Sequence, residues 1–191
     1  MWGSVAENDI LQFFSIHARK MRRTTIIEIF FHLQNEMELL LYCDGASRGN
    51  PGNVGYGFIV RNHFGAFIFA ESGGLGVTSN CVAEFISCIK ALEWAVENQS
   101  FRLILQSDSK TCIIALQQQK IPWFLLARWQ QVMASIHSIS FNHVSREVNF
   151  SADHFAKKGV HLQKGQCLTF NEKPSSLTCL EFPDQPYYRF V

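Results

Sequence analysis

The chain has 191 residues, 47% of them hydrophobic and 13% aromatic, which is enough to bury a core in one ordinary domain with extensions and excludes a wholly disordered chain. A net charge of +1 excludes a protein that holds a polyanion by its overall field. Any nucleic-acid contact must rest on local basic patches or on metal.

Residues 1–37 are read as an N-terminal flank. It holds a basic cluster of His17, Arg19, Lys20, Arg22 and Arg23 between apolar pieces. A solvated surface is the ordinary reading of such a cluster, with a nucleic-acid contact or a targeting segment left open. Acidic Glu7 and Asp9 argue against a transit peptide.

Residues 38–160 carry the regular patterning. Residues 38–43 are nearly all apolar, which suits a central strand buried on both faces. The glycine-rich stretch that follows, DGASRGNPG, reads as a turn. Residues 54–61 and 66–71 are strand candidates joined by Asn62-His63-Phe64-Gly65, an antiparallel hairpin with a short loop. Over residues 81–98 the period is helical, with Val82, Phe85, Ile86, Ile89, Leu92 and Val96 in one stripe. Residues 101–106 form a buried strand and 109–118 a short helix. Pro122 opens a helical stretch to residue 133, 138–144 make a fifth strand, and 151–158 a last helix ended by Gly159. Three strands followed by alternating helix and strand give an α/β class, a mixed sheet with helices on its faces. Residues 161–191, rich in Pro, Ser and Phe, read as an irregular C-terminal tail.

No apolar run reaches membrane-spanning length. The six cysteines show no CxxC pairing and no secretory leader precedes them, so free thiols in a reducing compartment are expected. The protein is therefore expected inside the cell, in the nucleus or cytoplasm with an organelle not excluded, as a monomer. Two glycosylation sequons, beginning at Asn98 and Asn149, are read as chance matches.

Four carboxylates stand at comparable positions. Asp44 ends the first apolar strand, Glu84 lies in the first turns of the long helix, Asp108 follows the strand at 101–106, and Asp153 opens the last helix. Each has an ordinary explanation: a turn residue for Asp44, a helix-dipole partner for Glu84 and Asp153, an N-cap for Asp108. Glu84 lines up on a helical wheel with Cys88, Ala91 and Ala95, a small-residue flank that lies over the sheet margin. If the strands before Asp44 and Asp108 are parallel neighbours, both acids meet in the crevice where open sheets bind ligands. One site explains all four.

A carboxylate at the mouth of a buried strand stands where a cation is held, and its recurrence is read as a metal-dependent hydrolase acting on nucleic acid. Oxygen ligands without Cys or His select magnesium or manganese over zinc. Clustered carboxylates repel one another, so their pKa values should be raised.

DGASRGNPG, then SNCVAE, then SDS, then HVSREVNFSAD resemble the successive motifs of the type 1 ribonuclease H family, and the Arg-Glu-x-Asn-x-x-Ala-Asp ending is most similar to its plant retroelement-derived, reverse transcriptase-associated branch. The resemblance covers residues 38–160. It implies the ribonuclease H fold, with a five-stranded mixed sheet and helices on both faces, and an endonuclease that cuts the RNA strand of RNA–DNA hybrids. It also implies catalytic, metal-binding roles for Asp44, Glu84, Asp108 and Asp153 around two Mg2+ ions, with Mn2+ as substitute. On the family pattern Asp44 bridges the ions, Glu84 and Asp108 complete one, and Asp153 the other.

Substrate contacts are expected from Gly45, Ser47, Arg48, Asn50, Asn80 and Arg146. Asn80 matches the family's minor-groove and sugar contact, with a helix N-cap as its other reading. Arg48 and Arg146 are read either as phosphate contacts or as surface charge. Arg146 and Glu147 stand where many family members carry a mobile His, and His143 is expected packed within its strand. Residues Gln117-Gln118-Gln119-Lys120 carry one charge and form no basic protrusion. The competing reading is a retroelement-derived binding module of the same fold that has lost useful turnover.

Overall fold

The computed structural model describes residues 13, 25–29, 38–49, 52–178 and 186–190. The basic cluster at 17–23 and Asn50 fall outside them.

Among the described residues the first strand is the short β1 (Ile26–Ile29), followed by three long antiparallel strands, β2 (Leu39–Gly49), β3 (Gly52–Arg61) and β4 (Phe67–Thr78). Then come α1 (Asn80–Glu97), β5 (Arg102–Ser107), α2 (Lys110–Gln117), a 3-10 turn (Trp123–Leu125) that leads into α3 (Leu126–Met133), and β6 (Ser138–His143). A second 3-10 turn (Arg146–Val148), α4 (Phe150–Gly159), β7 (Cys167–Phe170), α5 (Ser175–Thr178) and β8 (Tyr187–Phe190) complete the order. The main sheet runs β6-β5-β2-β3-β4-β7, and β1 pairs with β8 in a separate ribbon. β2, β5 and β6 are mutually parallel, and the other ladders of the main sheet are antiparallel.

The sheet has six strands where five were expected. The sixth, β7, comes from the stretch read as an irregular tail. It pairs with Ala70–Gly73, which it can do because β4 runs on to Thr78. The expected turn after Asp44 is also strand: β2 continues to Gly49 in unbroken register with β3, from Leu40 opposite Arg61 to Gly49 opposite Gly52. The reversal lies beyond, and Gly49 takes φ 89, a conformation open mainly to glycine.

Side chains alternate across β2, so both of its faces are buried, as the apolar run predicts. Leu41 and Cys43 point to the face covered by α1, α2 and α3, with Phe58, Ile89, Leu92, Leu105 and Trp129. Leu40 and Tyr42 point to the face covered by α4, with Ile59, Ile104 and Phe155. Leu177 of α5 is fully buried in that second core. On α1 the small residues Cys88, Ala91 and Ala95 are fully buried together with Ile89 and Leu92 of the expected stripe, so the flank beside that stripe shares the core.

Gly159 is a packing glycine, not the left-handed cap expected after a helix. A Cβ there would stand 2.6 Å from the Gly73 carbonyl oxygen and 2.8 Å from that of Tyr56. Among the described residues no helix is long and apolar enough to cross a membrane, and Cys43, Cys81, Cys88, Cys112 and Cys167 are free thiols.

Candidate metal centre

The parallel ladder between β2 and β5 ends at Cys43 opposite Ser107. The residue that follows each is an acid, Asp44 within β2 and Asp108 just past the end of β5, so the last rung brings the two side by side at roughly the 4.8 Å strand spacing. The Asp44 backbone N–H, on the β3 side of β2, donates to Ser87 Oγ of α1 at 3.1 Å. That hydroxyl donates in turn to the Gly57 carbonyl at 2.7 Å, fastening α1 to two strands. One turn earlier on the same helix, Glu84 comes to the same place. Gly45 permits it: a Cβ there would lie 2.7 Å from both Ala83 Cβ and the Glu84 nitrogen.

Among the described residues, Asp44, Glu84 and Asp108 each offer one carboxylate oxygen within 4.8 Å of the other two. Asp44 is 3% exposed and Glu84 7%. Asp44 Oδ1 accepts from the Gly45 N–H at 2.8 Å and Glu84 Oε1 from Asn80 Nδ2 at 3.4 Å. Asp44 Oδ2 and Glu84 Oε2 are buried with no hydrogen-bond partner. Burial, reinforced by Glu84, Asp108 and Asp153, pushes the Asp44 carboxyl up to about 9, against the opposing Gly45 N–H. Burial and then Asp108 push Glu84 up to about 8, with Gly45, Asn80 and Arg146 opposing. Orphaned, mutually repelling hard oxygens are what a divalent cation satisfies. The donor set fits such an ion, and it contains no thiolate or imidazole to draw zinc.

Asp153 stands apart from this triad. It lies half-buried in the first turn of α4, with Oδ2 2.5 Å from Lys157 Nζ, yet it is near enough to raise the Asp44 pKa. Asp108 is held from two sides. Asn149 Nδ2 donates to its Oδ1 at 3.0 Å, and Arg146 Nε stands 3.5 Å from its Oδ2. It is not the N-cap of α2; Ser109 occupies that position.

Of the expected substrate contacts, Gly45 faces α1, Ser47 is half-buried and Arg48 is exposed at the far end of β2. Asn80 is not the helix cap. Ser79 takes that role, accepting from the Val82 N–H at 3.4 Å, and the Asn80 amide is turned to Glu84. Arg146 is exposed but aimed at Asp108. His143 is exposed at the end of β6, with Nε2 3.2 Å from the Asp108 carbonyl oxygen, where a packed strand histidine was expected. Burial wins only inside the sheet, and β6 is its edge.

Two residues of the site carried no role in the sequence. Asn149 is 1% exposed, and its Nδ2 also donates to the Cys43 carbonyl at 3.0 Å, so it joins β2, Asp108 and the start of α4. The sequon beginning there is sealed from modification. Ser87 follows Glu84 at i, i+3, a spacing that would have placed it on the same face.

Residues 42–159 match the model of the reverse transcriptase-like family. The bifunctional protein Rv2228c of Mycobacterium tuberculosis is 28% identical over 159 residues, 78% of this chain and 43% of that protein. The chain thus spans less than half the length of that relative. The solved N-terminal RNase H domain of Rv2228c superposes with a TM-score of 0.61 at 26% identity, over 65% of this chain and 94% of that one. A ribonuclease H of Geotalea uraniireducens is 28% identical over 149 residues, 68% of this chain and 99% of that protein. LC11-RNase H1, solved in complex with RNA/DNA hybrid, superposes with a TM-score of 0.56 at 25% identity, over 64% of this chain and 96% of that one. The fold is ribonuclease H-like.

Proposed function

The chain belongs to the reverse transcriptase-like family, and we propose that it is a type 1 ribonuclease H: a metal-dependent endonuclease that hydrolyses the RNA strand of RNA–DNA hybrids. The observation that carries this reading is the buried triad of Asp44, Glu84 and Asp108 with its orphaned oxygens. The likeness to ribonucleases H, one of them solved on a hybrid, supports it.

Asp44, Glu84, Asp108 and Asp153 would hold a pair of Mg2+ ions, with Mn2+ as substitute, and these supply a water acidic enough to ionise near neutral pH and charge to offset the leaving oxygen. The chain's own residues do the positioning. Asn149 holds Asp108 in one rotamer, and Ser87 and Gly45 fix the approach of α1 that brings Glu84 in. Asp153 swings from Lys157 to join the triad. Ser47, Asn50 and Asn80 meet the sugar edge of the hybrid, where the 2′-hydroxyl marks the RNA strand. Arg48 and Arg146 take backbone phosphates, Arg146 leaving Asp108 as it does so. On this reading the protein works as a monomer inside the cell, and its Arg-Glu-x-Asn-x-x-Ala-Asp ending supports membership of the plant retroelement-derived branch.

A second reading has one observation in its favour. Arg146 and Lys157 already occupy oxygens of Asp108 and Asp153, which suits a binding module with little turnover. A cleavage assay on labelled hybrid, RNA duplex and DNA duplex separates the two. The enzyme cuts only the RNA of the hybrid in Mg2+, and Asp44→Asn abolishes cutting. Hybrid that the chain retards on a gel yet leaves whole after prolonged incubation with Mn2+ would support the binding module instead.

A further inference from the structure

Arg48 lies on the same face of β2 as Asp44, four residues further along. It borders an open cavity of about 460 Å³ whose wall also includes Asn53, His161, Gln163 and Lys164, with Gly76 beneath. None of these is acidic. Among the described residues no ion pair engages Arg48 or Lys164. Two cations, an imidazole and two amides thus converge on one hollow in a chain whose net charge is only +1.

The hollow is built, not incidental. The loop after α4 that carries His161, Gln163 and Lys164 is clamped to β4 on both sides of one residue. Gly74 donates to the Gln166 carbonyl and Gly165 donates to the Gly74 carbonyl, each at 2.9 Å. Gln166 Oε1 also accepts from the Gln163 N–H at 3.0 Å. Gly74 has no room for a side chain, since a Cβ would lie 2.4 Å from the Gln163 carbonyl oxygen. Gly76 takes φ +71, and the Lys164 stem lies over it, 3.3 Å from where a Cβ would be.

Its place relative to the acids is fixed by two rigid elements. Four residues of β2 separate Arg48 from Asp44, about 13 Å at strand rise. Seven residues of helix separate Val160, at the cavity, from Asp153, about 10 Å. A nucleic-acid strand advances about 3.4 Å per nucleotide along its axis, so the hollow lies about three or four nucleotides from the triad. We infer that it is a phosphate seat for the backbone of the strand being cut, recognising one phosphodiester three or four nucleotides from the scissile bond. The inference rests on the hybrid-nuclease reading of the triad. It explains how a nearly neutral chain fixes the register of its substrate.

The test measures hybrid affinity by fluorescence anisotropy in the full chain bearing Asp44→Asn, to prevent cutting, with and without Lys164→Gln and His161→Ala. Lys164 is exposed, so the fold survives its replacement, and a thermal midpoint verifies this. Lys164→Gln should weaken binding about three- to tenfold and lower the slope of log K against log salt by about one, with Lys164→Arg restoring both. A single uncharged methylphosphonate moved along the RNA strand should reproduce the loss at one position only, three or four nucleotides from the cut. At that position Lys164→Gln should add nothing further. Unchanged affinity and slope in Lys164→Gln, while the unmutated chain still cuts hybrid, overturn the seat and leave the nuclease reading standing. An unmutated chain that neither cuts nor binds hybrid overturns both.

Discussion

Asn149 and Asp108, 41 residues apart, are joined by a 3.0 Å hydrogen bond from Nδ2 to Oδ1, and the same nitrogen donates to the carbonyl that closes the apolar part of β2. This amide fixes an acid of the site to the strand bearing its neighbour. Asn149→Ala should destabilise the fold by about 1–3 kcal/mol, through the buried acceptors it strands. Cleavage of hybrid should fall about 10- to 100-fold, as when an outer partner of a metal ligand is lost. Chemical denaturation and kcat/KM on the same preparation check both.

Asp44 is stabilised by its proton in the folded state, at about 9 against an ordinary 3.8. The folded chain therefore binds more protons than the unfolded one between these values. Without metal, its contribution to stability is full below about pH 4 and is lost as pH rises through about 9, with Glu84 following the same course to about 8. Asp44→Asn should flatten that decline and raise stability at about pH 8 in a chelator by on the order of 1–2 kcal/mol, while abolishing cleavage. Added Mg2+ should raise the thermal midpoint of the unmutated chain and leave that of Asp44→Asn nearly unmoved. Calorimetry across pH, with and without Mg2+, reads all three.

Gly45→Ala introduces a methyl group 2.7 Å from Ala83 Cβ and the Glu84 nitrogen. Both neighbours belong to a helix and cannot yield cheaply, so α1 must move outward and take Glu84 with it. A loss of about 1–3 kcal/mol is expected. Cleavage should drop more than stability alone accounts for, measured well below the new thermal midpoint.

Leu177 is fully buried against the α4 face of the sheet. Leu177→Ala should cost about 2–5 kcal/mol, whereas Leu168→Ala, at an exposed position of β7, should cost little. Urea titration of the two variants compares them directly. Equal effects would mean that the segment after β7 is not part of the core.

The elements legible in the sequence were those whose burial follows a period. The run Leu39–Cys43 and the helix over Asn80–Glu97 are of this kind. What misled was glycine. Gly45, Gly73 and Gly74 signal turns when read alone, yet all lie within strands and clear space for α1, Tyr56 or the loop after α4. A packing requirement of that sort has no local signature. Strand β7 was missed because four mostly exposed residues carry no alternation strong enough to read. Three of the four acids meet where the strand ends suggested, because parallel register is a local rule. The Asp153–Lys157 pair and the two long-range bonds of Asn149 depend on how the last helix docks, and spacing is silent on that.

Asp44 and Asp108 each directly follow the last paired rung of β2 and β5, so their separation is set by that ladder more than by any loop. Lengthening the connections before β2 or after β5 leaves the two acids where they are. Adding or deleting one residue inside β5 would instead turn Asp108 to the opposite side of the sheet. Such a length change, conservative by any count of substitutions, would remove the centre and exchange the side chains that β5 gives to the two cores.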